Sequence, residues 1–426
     1  MSEKMESKFL NLMSWSNVVK KSRVKGIFEN NPTGFVKEHK LESDVMSLAE
    51  SKQNMKVFDQ SIEKEKAYSQ ALRELTSRLA RIGYSEYYGC FHPLFPRFEK
   101  WKSNRINVTK QLQALVDLFL LGNPVEKSFL MDYIGDLMEP LSALGLILYK
   151  GDYIITPDLV LLPVLGNWLF AEKPRINPNV YFGDDSLALL TRLQPNKSGK
   201  CLDLCAGTAI QSLFCSNFAS EVDAVEINPT AASLAYINVV MNGREQTIKV
   251  HCGDLFSPVC GQRFDTIVAN PPLLPIPEKV DYPFVGHGGK NGMDITWRIL
   301  QGIPTFLIDT GTSQIIGTCL SDGKTILQFD EMKDWSRQNR MDTLMTITSH
   351  HELKPGRLFF DALVSTASTA TSENMDMATV ESAFCQSFAE QGATHLCPYY
   401  LHITSGTGLF QYQNLAADPN NSFWYI

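Results

Sequence analysis

From about Val180 onward, short apolar runs alternate with helical segments. Strand candidates are Lys200–Leu204, Val222–Ile227, Thr247–His251, Phe264–Ala269, Gln314–Leu320, Thr343–Thr348 and Pro398–Thr404. Helical stretches separate the early ones, and this alternation predicts a parallel, doubly wound α/β sheet. Upstream, Ala67–Ile82 places apolar residues at helical spacing, and Gly83 closes the helix. An aromatic-rich piece follows, with Tyr84, Tyr87, Tyr88, Phe91, Phe95 and Phe98. Leu112–Leu121 reads as an amphipathic helix ended by Gly122, and Phe129–Leu137 and Leu141–Leu144 as two shorter helices. Leu146–Tyr149, a Lys150-Gly151-Asp152 turn and Tyr153–Thr156 predict a hairpin. Three helices and a two-stranded wing make a winged-helix-like unit. Residues 1 to about 65 are polar and weakly periodic, and Ser365–Thr379, rich in Ser, Thr and Ala, reads as a loop excursion. The expected division is a helical, basic N-terminal region (1–105), a winged-helix-like cap or dimerisation domain (106–178) and an α/β domain (179–426).

Composition places the chain among ordinary globular proteins, with 44% hydrophobic and 20% charged residues. Its 426 residues fit two or three domains. The net charge of −7 is unevenly spread: residues 1–105 hold 19 Lys+Arg against 13 Asp+Glu, and the rest 20 against 33. The acidic body is poorly suited to a phosphate backbone, while the first quarter stays open to an acidic partner. The basic cluster Lys20, Lys21, Arg23 and Lys25 reads either as a solvated arm or as a contact for such a partner. Glu126, Asp132, Asp136, Glu139 and Asp152 argue against DNA binding by the winged unit. The nine cysteines form no C-x-x-C pair, and no metal site is indicated. Cys201, Cys205, Cys252 and Cys319 lie in or beside apolar runs, as structural thiols of a reducing compartment do. The N-terminus has no apolar signal core. The longest apolar stretch, around Leu159–Leu165, contains Pro163 and falls far short of the ~20 residues of a membrane span. A cytoplasmic protein without membrane contact is expected.

Chemistry concentrates at strand ends. Cys201-Leu-Asp-Leu-Cys-Ala-Gly-Thr-Ala209 runs from a buried strand through a small-residue turn into the helix Ile210–Phe218. Ala206, Gly207 and Ala209 let a ligand approach the backbone, as first βα turns do in nucleotide-binding sheets. The absence of G-K-[ST] disfavours a triphosphate loop. Glu226 ends the next strand, where a carboxylate can accept hydrogen bonds from ribose hydroxyls. The bland alternative is a surface glutamate. Asp254, in Gly253-Asp254-Leu255-Phe256, suits an adenine amino group, or is a plain loop acid. The fourth strand runs into Asn270-Pro-Pro-Leu-Leu-Pro275. Pro271 and Pro272 fix the backbone and remove two donors, which leaves carbonyls and one side-chain amide to hold a planar amine or amide nitrogen. A bare rigid turn is the competing reading.

These elements, in this order, resemble the class I S-adenosylmethionine-dependent methyltransferases. More narrowly they resemble the small-domain group that includes HemK/PrmC-type glutamine methyltransferases and ribosomal-RNA guanine-N2 methyltransferases. The resemblance covers about Val180 to Thr404, including the helix over Leu234–Gly243, and implies a Rossmann-like seven-stranded sheet. It implies S-adenosylmethionine as cofactor, bound by Asp203, Cys205, Ala206, Gly207, Glu226, Ile227, Asp254, Leu255 and Asn270. It makes Asn270, Pro271 and Pro272 the catalytic segment, and lines the acceptor pocket with Tyr181, Phe182, Leu273, His287, Gly288 and Gly289. Leu273 stands where N-methyltransferases of this kind usually carry an aromatic, and it offers no π face. That departure, with the acidic body, makes an amine or amide of a small molecule or peptide product the first expectation for the acceptor. A protein glutamine or an rRNA guanine, docked through residues 1–105, is the alternative, and an inactive cofactor-binding module is a third. The cap leaves a homodimer open.

Overall fold

The computed structural model describes residues 62–90, 98–173, 175, 178–194, 199–370 and 376–417. The polar N-terminal arm, its basic cluster, Phe91 and Phe95 lie outside the described residues. Helix α1 (Ile62–Arg81) buries Leu72, Leu75 and Leu79 and stops before Gly83, whose φ of 85° makes the left-handed turn. Helix α2 (Tyr84–Gly89) buries Tyr84, Tyr87 and Tyr88. Next come α3 (Phe98–Asn104), α4 (Lys110–Leu115) with a π-type turn over Val116–Leu120, α5 (Met131–Ile134) and α6 (Met138–Ala143). Thr109 caps α4 by accepting from the Leu112 N–H at 3.3 Å. The expected hairpin forms as β2 (Leu148–Lys150) and β3 (Tyr153–Ile155) and gains a third antiparallel strand, β1 (Val125–Glu126).

The apolar stretch after it is a second hairpin, β4 (Leu159–Val164) and β5 (Asn167–Glu172). Pro163 is tolerated in β4 because it faces Trp168, whose N–H and C=O both turn away from β4. The Tyr84 hydroxyl donates to the Leu161 carbonyl at 2.8 Å, on the outer edge of the hairpin. No helix among the described residues is long and apolar enough to cross a membrane.

The remaining elements build one sheet. They are α7 (Asp184–Arg192), β6 (Lys200–Leu204), α8 (Ile210–Cys215), β7 (Glu221–Glu226), α9 (Pro229–Met241), β8 (Ile248–Cys252), β9 (Phe264–Ala269), α10 (Asp294–Phe306), β10 (Leu307–Ser321), α11 (Phe329–Asn339), β11 (Met341–Ile347), β12 (His351–Glu352), α12 (Leu358–Ala370), α13 (Met377–Gln391), β13 (His395–Ser405) and β14 (Phe410–Asn414). The strand order is β14-β11-β13-β10-β9-β6-β7-β8, with β12 pairing β13. All seven expected strands are present and occupy seven adjacent positions of the sheet. Strands β6 to β10 run parallel, but β13 lies antiparallel between β10 and β11. The sheet is therefore not wholly parallel, because two helices separate β11 from β13 and return the chain from the opposite end. Strand order reverses between β6 and β9, and the crevice beyond their C-terminal ends is where such sheets bind ligands.

The expected loop over Ser365–Thr379 is corrected at both ends, and its residues 371–375 lie outside the described residues. Ser365–Ala370 completes α12 and Met377 opens α13. Phe360, Leu363, Val364 and Ala367 pack against Val380, Phe384 and Phe388, and that buried face outweighs the Ser/Thr composition. The Thr369 hydroxyl is satisfied locally by the Ser365 carbonyl at 2.6 Å. The core also runs unbroken across residues 105 and 178. Leu72 of α1, Leu118, Phe170 and Leu234 of α9 belong to one apolar cluster.

Candidate active site

Beyond the ends of β6, β7 and β9 lies an open pocket lined by residues of the turns that follow those strands. Its floor is the Cys205–Ala209 turn. Cys205 (φ 58°) and Ala209 (φ 62°) are both left-handed, the conformation glycine adopts freely. Glu226, at the end of β7, is buried and accepts from the Gly207 N–H and the Asn228 N–H, each at 2.8 Å. Burial raises its pKa, and these backbone donors oppose the rise. Asp203 lies behind the turn, outside the pocket lining. It accepts from both the N–H (2.9 Å) and the hydroxyl (2.6 Å) of Ser212, so it ties the first turn of α8 to β6. Burial pushes its pKa up to about 7.

Asp254 lines the far end of the pocket with Leu255 and Ile227. It pairs with Arg298 of α10 at 2.5 Å, and Arg298 is the one cation lining the pocket among the described residues. At the near end, the Asn270 amide donates to Asp185 (3.3 Å) and the Ser186 hydroxyl (3.4 Å), while its Oδ1 is buried with no protein partner. Asp185 also hydrogen-bonds the Tyr181 hydroxyl, and burial raises both groups. A carboxylate only accepts, so Asp185 fixes which way the Asn270 amide faces. Pro271, Pro272, His287, Val285 and the exposed Phe284 complete this end. His287 accepts from the Gly289 N–H through Nδ1 at 3.3 Å.

Several expected pocket residues are placed elsewhere. Leu273 is buried and outside the lining, and its carbonyl accepts from the Thr318 hydroxyl. Phe182 is buried in the core, and Gly288 and Gly289 pack behind the pocket. A Cβ on Gly288 would meet the Leu273 and Gly292 backbones at 2.9 and 2.8 Å, and one on Gly289 would meet the Asp294 carboxylate. Glycine is needed there for loop packing. The segment Tyr181–Asp185 is expected from the sequence to fold over the methionine end of the cofactor, and Tyr181 and Asp185 do line the pocket. Sequence reasoning gave Asp185 no partner and missed Ser186, Phe284 and Arg298 as pocket residues.

Asp184 is an electrostatic outlier. Its Oδ1 is buried without a partner, and burial, then the Asp185 charge, push its pKa up to about 8. An unfolded Asp titrates near ~3.9, so the folded state favours the neutral acid and loses stability as pH rises from about 4 through about 8. Asp184→Asn removes that loss. Relative to the difference at about pH 4, its Tm is expected to gain on the parent's steadily as pH rises, by roughly 3–6 °C at about pH 9 and about half of that at about pH 6, in a thermal-denaturation series.

Comparison with known proteins agrees with this geometry. Residues 179–328 match the family model described as a methyltransferase small domain. A protein of Methanocaldococcus jannaschii, provisionally named a protein N5-glutamine methyltransferase, is 35% identical over 158 residues, covering 36% of this chain and 79% of that protein. A ribosomal protein uL3 glutamine methyltransferase of Bradyrhizobium diazoefficiens is 32% identical over 141 residues, 31% of this chain and 44% of its own length. The chain thus spans under half of that relative. The crystal structure of a ribosomal protein L11 methylase from Lactobacillus delbrueckii subsp. bulgaricus aligns with a TM-score of 0.31 and 16% identity, over 55% of this chain and 84% of that one. The chain belongs to the class I S-adenosylmethionine-dependent methyltransferases, in their small-domain group. Its cofactor is S-adenosylmethionine, and the residues present fit it. Glu226 and Asp254 offer acceptors in the pocket lining, and a cationic ligand offsets the repulsion between Glu226 and Asp203 behind it.

Proposed function

We propose that the protein methylates a side-chain amide nitrogen of a protein, as a glutamine N5-methyltransferase. One observation carries this reading. Asn270 turns its amide N–H₂ toward Asp185 and Ser186, leaving a buried, unpartnered Oδ1 beside the cofactor pocket. A buried acceptor without a partner costs about 1–3 kcal/mol, and a substrate N–H relieves it. The acceptor therefore carries a hydrogen-bond donor, an N–H or an O–H. The glutamine specificity named for the relatives is consistent with that requirement. The small-molecule preference rested in part on Leu273 facing the acceptor, and Leu273 is buried in the core.

When bound, the cofactor supplies the methyl group as an electrophilic sulfonium. The chain's part is orientation. Asn270 Oδ1 accepts one N–H of the amide, which aligns the nitrogen. Asp185 keeps the Asn270 amide from turning over. Pro271 and Pro272 hold that backbone without donors of their own. Tyr181 and Phe284 offer aromatic surface to a planar amide at the mouth.

Labelled methyl groups, supplied as S-adenosylmethionine to the purified protein with ribosomal proteins including uL3, with RNA and with a metabolite fraction, test the reading. Label is expected on protein glutamine, seen by mass spectrometry as one added methylene. Label confined to RNA or to metabolites overturns it.

A further inference from the structure

Asn238 is completely buried in α9, yet each polar atom of its side chain is used. Its Oδ1 accepts from the Phe170 N–H at 2.8 Å, and its Nδ2 donates to the Phe170 carbonyl at 3.0 Å. One helical turn on, Asn242 does the same with Trp168, at 2.8 and 2.7 Å. The two amides meet the free edge of β5 much as a third strand would. They replace ladder bonds that a helix backbone cannot supply. Each makes one more bond: Asn242 donates to the Asn238 backbone carbonyl at 2.7 Å, while Asn238 donates to the Thr208 carbonyl at 3.0 Å.

Thr208 belongs to the cofactor turn, where Cys205 and Ala209 hold positive φ. A non-glycine residue in that region costs about 1–3 kcal/mol and persists only where its surroundings hold it. Ala206 N–H donates to the Val225 carbonyl at 3.1 Å, Gly207 N–H to Glu226, and Ala209 N–H to the Ala206 carbonyl at 2.7 Å. Asn238 holds the turn at the Thr208 carbonyl, next to the Gly207 N–H that Glu226 holds, and its own amide is held by both backbone groups of Phe170.

We propose that Asn238 is a positioning residue for the cofactor. It clamps the strained Cys205–Ala209 turn in its binding shape, with β5 of the N-terminal hairpin as its anchor. The hairpin is then a working part of the cofactor site, although β4 and β5 lie outside the pocket lining. The proposal does not depend on which molecule accepts the methyl group.

Calorimetry with S-adenosylmethionine on the full chain tests it. Asn238→Ala is expected to weaken affinity about tenfold. Asn242→Ala removes an equal pair of strand bonds, with one bond to the Asn238 backbone carbonyl, without touching the turn, and is expected to stay within about twofold of the parent. Adding Ala209→Gly to Asn238→Ala relaxes the strain, because glycine takes positive φ freely, and is expected to restore most of the lost affinity. Equal losses in the two asparagine variants, no loss in Asn238→Ala, or no recovery with Ala209→Gly overturns the proposal. Asn238→Ser, screened against the melting temperature of Asn242→Ala, replaces the alanine variant if that one does not fold.

Discussion

Asn270→Ala is expected to slow methyl transfer about 10²–10³-fold, the usual loss when one preorganised hydrogen-bonding group is taken from a reacting centre. Cofactor affinity should change by less than about threefold, because the Asn270 amide contacts Asp185 and Ser186 rather than the turn that holds the nucleoside. The split follows from where the side chain sits. Its N–H₂ is committed to the protein, and its Oδ1 has no protein partner, which the proposed function assigns to the acceptor. An interaction made only with the reacting nitrogen lowers turnover without loosening the ground-state complex. Single-turnover rates beside calorimetric binding check it. A tenfold or greater loss of cofactor affinity in this variant would reassign Asn270 to the cofactor alone.

Glu226→Ala should do the reverse. Two ribose hydroxyls donating to a buried carboxylate make charge-assisted hydrogen bonds of about 1.5–3 kcal/mol each, so their loss lowers cofactor affinity by at least roughly 100-fold. Part of the effect is indirect. The same carboxylate receives the Gly207 and Asn228 N–H groups, and alanine strips both of their partner. Glu226→Gln keeps one acceptor oxygen and should lose clearly less. Titration calorimetry on the two variants measures the difference, and near-parental binding by Glu226→Ala would remove Glu226 from the ribose site.

Much of this site was legible in the chain because the chemistry sits at strand ends. The apolar runs around Leu202, Val225 and Ile267 announce the strands, and the polar or small residues that follow them fall at the crevice. Asn270 with Pro271 and Pro272, and Glu226 ahead of Pro229, were readable for that reason. What escaped depends on distance in sequence. The contact of Asp185 with Asn270 forms only when α7 closes against the end of β9, and that of Arg298 when α10 reaches Asp254. Leu273 was misplaced because adjacency to Asn270 says nothing about which side of a rigid turn a side chain takes. The antiparallel course of β13 was hidden for a similar reason. Its residues have ordinary strand character, and direction is decided by the length and packing of α12 and α13.

The position of β13 also orders events during synthesis. The cofactor half, β6 to β9, is assembled from residues 200–269, and its parallel pairings can close while the rest of the chain is still being made. Strand β10 follows, but its outer edge must wait for the segment that pairs Thr312 with Thr404 and Ser321 with His395. Until then an almost wholly buried strand presents a row of unpaired backbone groups, the kind of edge on which chains aggregate. The nascent protein thus passes through an interval in which its nucleoside pocket can be shaped while its sheet remains open. Release from the ribosome before β13 has docked exposes that edge to other chains.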